Sequence, residues 1–157
     1  MANLRSLWVA LTTADVDLAG TDANLFLEFN LSGKSFKLPD QPGNDLERPG
    51  VPFFSANGTT YLFDVNNLTT QEFMPGTVIL RNDSTIDPPI GPTIPNAPGA
   101  GWRCKSILVV GMGEDGKFYS LVAMPNVDRW LAADEPEGLS IVLDVLRDGE
   151  IGVPSAL

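Results

Sequence analysis

Three short acidic turns are the part of this sequence best suited to chemistry. The first, Asp15–Asp22, contains three aspartates and a glycine, and the other two are Pro42–Asp45 and Asn82–Asp83. Carboxylates and exposed backbone carbonyls are the hard oxygen ligands that Ca²⁺ prefers. Three turns that meet at one end of a fold would supply the roughly six to eight oxygens of a calcium site. Turns that stay apart would be ordinary solvated residues, and the sequence leaves both readings open.

The first turn begins like an EF-hand loop, because Asp15, Asp17 and Gly20 occupy the first, third and sixth positions. Ala19 stands at the fifth position, however, and Phe26 stands at the twelfth, where a bidentate glutamate is required. The flanking segments are also strand-like rather than helical. An EF-hand is therefore excluded.

Gly111, Gly113 and Gly116 match the spacing of a dinucleotide-binding loop after an apolar strand. That motif needs a helix to begin at the glycines, whereas the chain continues with a strand pattern from Lys117 to Val122. Glu114 and Asp115 within the loop would repel phosphate. We expect a β-hairpin with its turn at Asp115–Gly116 instead.

Composition excludes several classes of function. The 157 residues carry a formal charge of −10, which argues against nucleic-acid binding, and their number predicts one domain spanning residues 1–157. The chain has no histidine, which removes the commonest general base and the His-containing zinc sites. No particular pair of carboxylates suggests glycoside hydrolysis. We therefore expect a protein that is not an enzyme.

Cys104 is the single cysteine of the chain. It has no partner for an internal disulfide. It lies in an apolar run, which predicts an inert, buried thiol.

The N-terminus shows no signal-peptide pattern, and no run of about 18 apolar residues occurs. These features predict a soluble protein, cytoplasmic or peripherally attached to a membrane.

Glycine and proline are scattered along the chain and interrupt any long helix, which favours many short strands. Alternating apolar residues predict eight strands that form an antiparallel β-sandwich of two sheets. The Ser32–Lys34 turn between the second and third of these strands predicts a β-hairpin. Trp8, Trp102 and Trp130 lie in or beside these strands and are expected in the core. A turn of helix is expected around Leu68–Phe73, capped by Asn67 or Thr69. The eight predicted strands are Leu7–Leu11, Leu25–Phe29, Phe36–Leu38, Thr59–Val65, Thr77–Arg81, Arg103–Gly111, Lys117–Val122 and Leu139–Leu146.

A Pro/Gly-rich loop at residues 84–101 contains five prolines and three glycines. Such a segment cannot be a central strand. A loop this long is a functional surface or a plain connection, and the sequence does not decide between them.

Several motifs together resemble one family. Ala19–Asn24 reads AGTDAN before an alternating strand, and Pro42–Arg48 reads PGNDLER. Later motifs are Ile79–Asp83, Gly101–Trp102 and the segment Asp128–Glu135, which reads DRWLAADE. In order and spacing this pattern is similar to PLAT domains, also called LH2 or lipoxygenase-homology domains, over residues 5 to 146.

The resemblance implies an eight-stranded sandwich of two four-stranded sheets that is not itself catalytic. PLAT domains accompany lipoxygenases, lipases and bacterial phospholipase toxins, often bind calcium, and dock on membranes or on protein partners. The resemblance implies a calcium site at Asp17, Leu18 (through its carbonyl), Gly20, Asp22, Asn44, Asp45 and Asp83.

Docking on lipid would need exposed apolar side chains near these turns. The candidates are Leu18, Phe53, Phe54, Ile86, Ile90 and Ile94. The phenylalanines would otherwise pack in the core or on an edge strand, and the isoleucines would pin the long loop to the body. The leading interpretation is a calcium-assisted module that binds a lipid surface or a lipid-associated protein. The alternatives are a calcium-independent protein-interaction domain and a carbohydrate-binding sandwich, which would need exposed tryptophan or tyrosine.

Overall fold

The computed structural model describes residues 2–14, 23–39, 58–86, 91–92, 94–95, 101–132 and 138–146. The described residues form strands and a single short 3-10 helix. These described residues contain eleven strands: β1 Asn3–Thr13, β2 Leu25–Phe29, β3 Lys34–Lys37, β4 Gly58–Thr69, β5 Val78–Asn82, β6 Thr85–Ile86, β7 Ile94–Pro95, β8 Trp102–Gly113, β9 Phe118–Met124, β10 Arg129–Leu131 and β11 Ser140–Val142. All of their pairings are antiparallel. The expected all-β sandwich is confirmed.

The first sheet has five strands rather than the predicted four. Its order is β10-β8-β1-β4, and β9 also pairs with β8. β9 pairs with Ile107–Met112 of β8, whereas β10 pairs with Trp102–Cys104, so both strands lie along the same edge of β8. The backbone of Asp128 between them has a φ of 45°, a left-handed conformation that interrupts a strand. The sheet is therefore four strand positions wide, with one position divided between β9 and β10.

The second sheet has four strands in the order β11-β5-β2-β3. β2 and β3 form the hairpin predicted at Ser32–Lys34. Its turn is closed by the Gly33 amide, which donates to the Phe29 carbonyl at 2.8 Å. Gly33 has a φ of 74°, a conformation that glycine adopts without steric cost.

The predicted strand Leu139–Leu146 is mostly wrong, because only Ser140–Val142 forms β11. After β11 the chain leaves the four-stranded sheet. The Leu143 amide still donates to Val78, but Val145 bridges Val122, and the Leu146 amide donates to Leu121 at the free edge of β9. The segment therefore passes from one sheet to the other and does not continue one strand.

The core lies between the two sheets and is built from the inward faces of β1, β2, β4, β5, β8 and β9. Trp102 and Phe29 are its largest fully buried side chains. The expectation that all three tryptophans are core residues is wrong for Trp8 and Trp130, which are half-buried on the outer face of the five-stranded sheet. Both tryptophans occupy outward-facing strand positions, which alternate with the inward-facing ones. Apolar residues occur on both faces of this sheet, so an apolar residue type alone does not indicate a core position.

Cys104 is fully buried, as predicted. Burial raises the pKa of its thiol to about 12, and the negative charge of Asp128 contributes to the increase. At neutral pH the group is a protonated thiol, which is a poor nucleophile.

Two local predictions are confirmed. The β8–β9 hairpin turns at Asp115–Gly116, where Gly116 has a φ of 78°. A 3-10 helix spans Thr70–Glu72 within the predicted helical turn, with Thr69 at its N-cap. The Pro/Gly-rich loop contributes no central strand among its described residues, although Thr85–Ile86 and Ile94–Pro95 pair as a small ladder. Within the described ranges, no helix has the length and apolar character needed to cross a bilayer.

Candidate functional site

One end of the four-stranded sheet brings together the described residues that border the three acidic turns. Leu25, at the start of β2, pairs with Asn82, at the end of β5. The Leu38 amide donates to the Leu25 carbonyl at 2.9 Å, and the Asp83 amide donates to the Asn24 carbonyl at 3.2 Å. The described residues next to the first two predicted turns are therefore adjacent, at one sheet end, to the third turn.

The predicted ligands fall mostly outside the described residues. Asp17, Leu18, Gly20, Asp22, Asn44 and Asp45 lie there, and their positions stay predictions. Asp83 is described, and it is placed at the junction just defined. Among the described residues, no three acidic or cysteine side chains come together. Because six of the seven predicted ligands are outside those residues, this result does not test the predicted site.

Asn82 fixes the backbone at Asp83. Its side chain is fully buried, and its Nδ2 donates to the Leu131 carbonyl at 3.0 Å. Its Oδ1 accepts from the Ser84 amide at 2.8 Å, which closes a tight turn around Asp83. Ser84 has a φ of 62°, a left-handed conformation that this turn imposes. The sequence indicated Asn82 only as part of an acidic turn, whereas its structural role is to position that turn.

The five-stranded sheet ends at the same place. Thr12 of β1 pairs with Gly58 of β4, and Trp102 Nε1 at the start of β8 donates to Thr13 Oγ1 at 2.9 Å. The Ala132 amide donates to the Gly138 carbonyl at 2.9 Å. The described residues on both sides of segments 15–22, 40–57 and 133–137 therefore lie at this end of the sandwich, which we call the loop end.

Solved structures that are similar to this chain are known. The chain is similar to the alpha toxin from Clostridium absonum with a TM-score of 0.53 and 19% identity, covering 91% of this chain and 32% of the toxin chain. Two LOX structures, one of them in complex with arachidonate, match with TM-scores of 0.49 and 0.48 and identities of 19% and 18%. They cover 90% of this chain and 16% of theirs.

The likeness to the toxin shows the fold. This chain spans about a third of the toxin's length. No family model matches the sequence, and the comparison with curated proteins finds no significant match.

An aromatic and a cation are adjacent at the loop end. The guanidinium of Arg103 lies 5.9 Å from the ring centroid of Trp130, at directly paired positions of β8 and β10. Arg129 Nη2 donates to the Ser140 carbonyl at 2.9 Å and joins β10 to β11. Trp130 is half-buried, so part of its ring faces solvent beside this cation. An aromatic ring with one exposed side is typical of contact surfaces.

The predicted docking residues are largely untested. Leu18, Phe53, Phe54 and Ile90 lie outside the described residues. Ile86 and Ile94 are described in their backbone alone, where they pair with each other. The side chains that would touch a membrane therefore stay predictions. Of the aromatics a carbohydrate site would need, Tyr61, Tyr119 and Trp102 are buried, which does not favour that alternative.

Polar contacts close the opposite end of the sandwich. Lys34 Nζ pairs with Glu72 Oε1 at 2.7 Å, and Lys34 also donates to the Asn67 carbonyl. Burial acts to raise the pKa of Glu72. Hydrogen bonds from Lys34, Ser32 and the Thr69 amide outweigh that effect, so the pKa lies below its usual value.

A second polar contact lies at the β8–β9 hairpin. The Tyr119 hydroxyl donates to the Asp115 carboxylate, an interaction that raises the pKa of Tyr119 to about 12 and lowers that of Asp115. The Lys34–Glu72 and Tyr119–Asp115 contacts satisfy these polar groups, and neither contact is part of the loop end.

Proposed function

We propose that this protein is a non-catalytic, calcium-assisted binding module that docks through its loop end on a lipid surface or on a lipid-associated protein. The observation that carries the proposal is the convergence of Asn24, Leu38 and Asp83 at one sheet end. Each of these residues borders or belongs to one of the three acidic turns. The sequence resemblance to PLAT domains and the sandwich fold support the same conclusion.

The donor chemistry at this end suits a hard cation. Asp83 provides a carboxylate at the junction, and the segments that leave Asn24 and Leu38 carry Asp17, Asp22 and Asp45. Carboxylates with backbone carbonyls such as those of Leu18 and Gly20 form the oxygen set that Ca²⁺ prefers. With no histidine in the chain, a site selective for zinc or copper is disfavoured.

Electrostatics gives calcium a role in docking. The chain carries a net charge of −10, so anionic lipid headgroups repel it. A bound divalent cation neutralises the turn carboxylates locally and bridges to phosphate oxygens. The half-buried Trp130 beside Arg103 then adds an aromatic contact at the surface of the bilayer.

Thermal unfolding tests the calcium site directly. Calcium at about 100 times its Kd raises the stability of the folded state by about 2.7 kcal/mol, and a chelator reverses the effect. Asp83→Asn reduces the calcium-dependent shift in Tm, whereas Asp144→Asn, an exposed change away from the junction, leaves it intact. An unchanged midpoint in saturating calcium contradicts the calcium site.

Co-sedimentation with vesicles tests docking. Vesicles containing phosphatidylserine are expected to retain the wild-type protein in calcium and to release it in chelator. Asp83→Asn is expected to lose this retention in parallel with its calcium response. Calcium stabilisation without vesicle binding would leave a protein partner as the ligand of the loop end, and it would contradict the membrane form of the proposal.

A further inference from the structure

The outer face of the five-stranded sheet is unusually apolar. Leu62 is 57% exposed on β4, and Leu108 is 43% exposed on β8. Trp8 lies between them on β1 and contacts Phe118 of β9 with ring centroids 5.3 Å apart. An antiparallel sheet whose outer face meets water normally presents polar side chains there. A contiguous apolar patch on such a face marks an interaction surface.

The centre of this face lacks charge. Across β4, β1, β8 and β9, the cross-strand rows that contain Thr60 and Leu62 carry no ionisable side chain among the described residues. Asp64 lies at one edge of the face, and at the same edge Arg5 Nη2 donates to Met112 Sδ at 3.4 Å. A single cation beside a carboxylate gives the face no basic cluster for anionic lipid. The flat centre of a sheet also cannot insert into a bilayer as a protruding loop can.

The register places large and small side chains in adjacent rows. Leu62, Trp8 and Val110 are directly paired across three strands and form a row of large side chains. The next row lies two residues further along each strand and consists of Thr60, Ala10 and Leu108. The side chains at its first two positions are small. The face therefore presents a ridge beside a recess.

We propose that this face pairs with the same face of a second copy of the chain. A two-fold axis that lies between the two rows sets the ridge of each copy against the recess of the other. Trp8 then packs over the partner's Ala10, and Leu62 packs over the partner's Thr60. Such an isologous contact is self-complementary in shape. The two central rows are also uncharged among the described residues, so that two acidic chains meet without placing carboxylates opposite each other.

The area available makes this association weak and reversible. Four strands about 4.8 Å apart, and about 13 Å long between the Thr60 and Asp64 rows, present roughly 250 Å² per copy. A stable interface buries about 800 Å² per partner. The two copies also carry −10 each, and their repulsion is screened by salt. The dimer therefore forms at high protein concentration and is favoured by high ionic strength.

Sedimentation equilibrium in chelator tests the proposal independently of the calcium site. The wild-type weight-average mass rises toward that of a dimer between about 10 µM and about 1 mM protein. The dimer fraction is larger at about 0.5 M than at about 0.05 M NaCl. Leu62→Asp and Leu108→Asp each place a charge in the paired face and lower the association constant by at least about tenfold.

Matched controls separate the face from a general effect of added charge. Leu31→Asp in the β2–β3 turn and Val142→Asp on the outer face of the other sheet change residues that are 58% and 50% exposed. They add the same negative charge, and their association constants stay within about twofold of the wild type. Circular dichroism and the urea midpoint establish that each variant is folded.

A wild-type protein that is monomeric up to about 1 mM at high salt overturns the proposal. Equal weakening by the face variants and the controls also overturns it. Calcium-independent binding to zwitterionic vesicles that Leu62→Asp abolishes would assign the face to lipid instead. None of these outcomes depends on the calcium response of Asp83, so failure of this proposal and failure of the proposed function are distinguishable.

Discussion

The side-chain amide of Asn82 donates to the backbone carbonyl of Leu131 at 3.0 Å and joins the end of β5 in one sheet to β10 in the other. Asn82 is fully buried, and its Oδ1 also accepts from the Ser84 amide. One residue thus holds the two sheets together where the candidate cation site lies and sets the turn that carries Asp83. The loop end therefore depends on a buried amide as well as on acidic residues.

Replacing this amide should destabilise the sandwich. Asn82→Ala leaves the Leu131 carbonyl and the Ser84 amide without their partner, and each lost contact to a buried group costs about 1–3 kcal/mol. We expect the free energy of unfolding to fall by at least about 2 kcal/mol in urea titrations. Asn66→Ala, at an exposed position of β4, should change it by less than about 0.5 kcal/mol. Equal effects of the two changes would contradict the assigned role.

Trp102 and Trp8 should respond differently to replacement by phenylalanine. Trp102 is fully buried and its Nε1 donates to Thr13 Oγ1 at 2.9 Å, whereas the shielded Nε1 of Trp8 has no hydrogen-bond partner among the described residues. Trp102→Phe removes a hydrogen bond and core volume and should cost about 2–4 kcal/mol. Trp8→Phe removes an unsatisfied donor and should be neutral or slightly stabilising. Urea midpoints of both variants measure the difference, and a costly Trp8→Phe change would contradict this account.

Cys104 should be unreactive in the native protein. Its pKa of about 12 leaves about one molecule in 10⁴ as thiolate at pH 8, and its side chain is fully buried. A thiol reagent should label one equivalent promptly in concentrated urea and almost nothing in buffer over the same time. Native labelling at the rate of an exposed thiol would show that the core around β8 opens readily.

The Lys34–Glu72 pair should make stability depend on pH. The pKa of Glu72 is lowered in the folded state, so its stabilising contribution is present above the unfolded value of 4.5 and is lost as the pH falls below it. Between about pH 6 and about pH 3, Glu72→Gln should lose less stability than the wild type. Glu114→Gln, which removes an exposed charge, should follow the wild-type curve. Parallel curves for all three proteins would contradict the coupling.

Local patterns in the sequence were sufficient to predict most of the strands and hairpins. Alternation predicted β2 with its observed bounds, and glycine-containing turns predicted the hairpins at Ser32–Lys34 and Asp115–Gly116. These features depend on neighbouring residues alone. The division of one strand position between β9 and β10 was not predicted, because the break depends on the backbone conformation of a single residue, Asp128.

The burial of individual side chains and the location of the candidate site could be predicted only with knowledge of the strand pairing. β1 has apolar residues on both faces, so alternation could not show that Leu7 and Val9 face the core while Trp8 faces outward. Likewise, three acidic turns far apart in sequence gave no indication of which sheet ends adjoin. The register of Leu25 against Asn82 brings their borders together, and long-range strand pairing of this kind is not encoded in short motifs.

Both ends of the sandwich depend on contacts between distant parts of the chain. At the loop end, Asn82 meets Leu131 across 49 residues and Trp102 meets Thr13 across 89. At the opposite end, the Glu114 amide donates to the Asn3 carbonyl. The entropy of loop closure opposes contacts of such long range. Because the Asn82–Leu131 contact joins the two sheets, the candidate cation site should assemble only once the sheets have docked during folding.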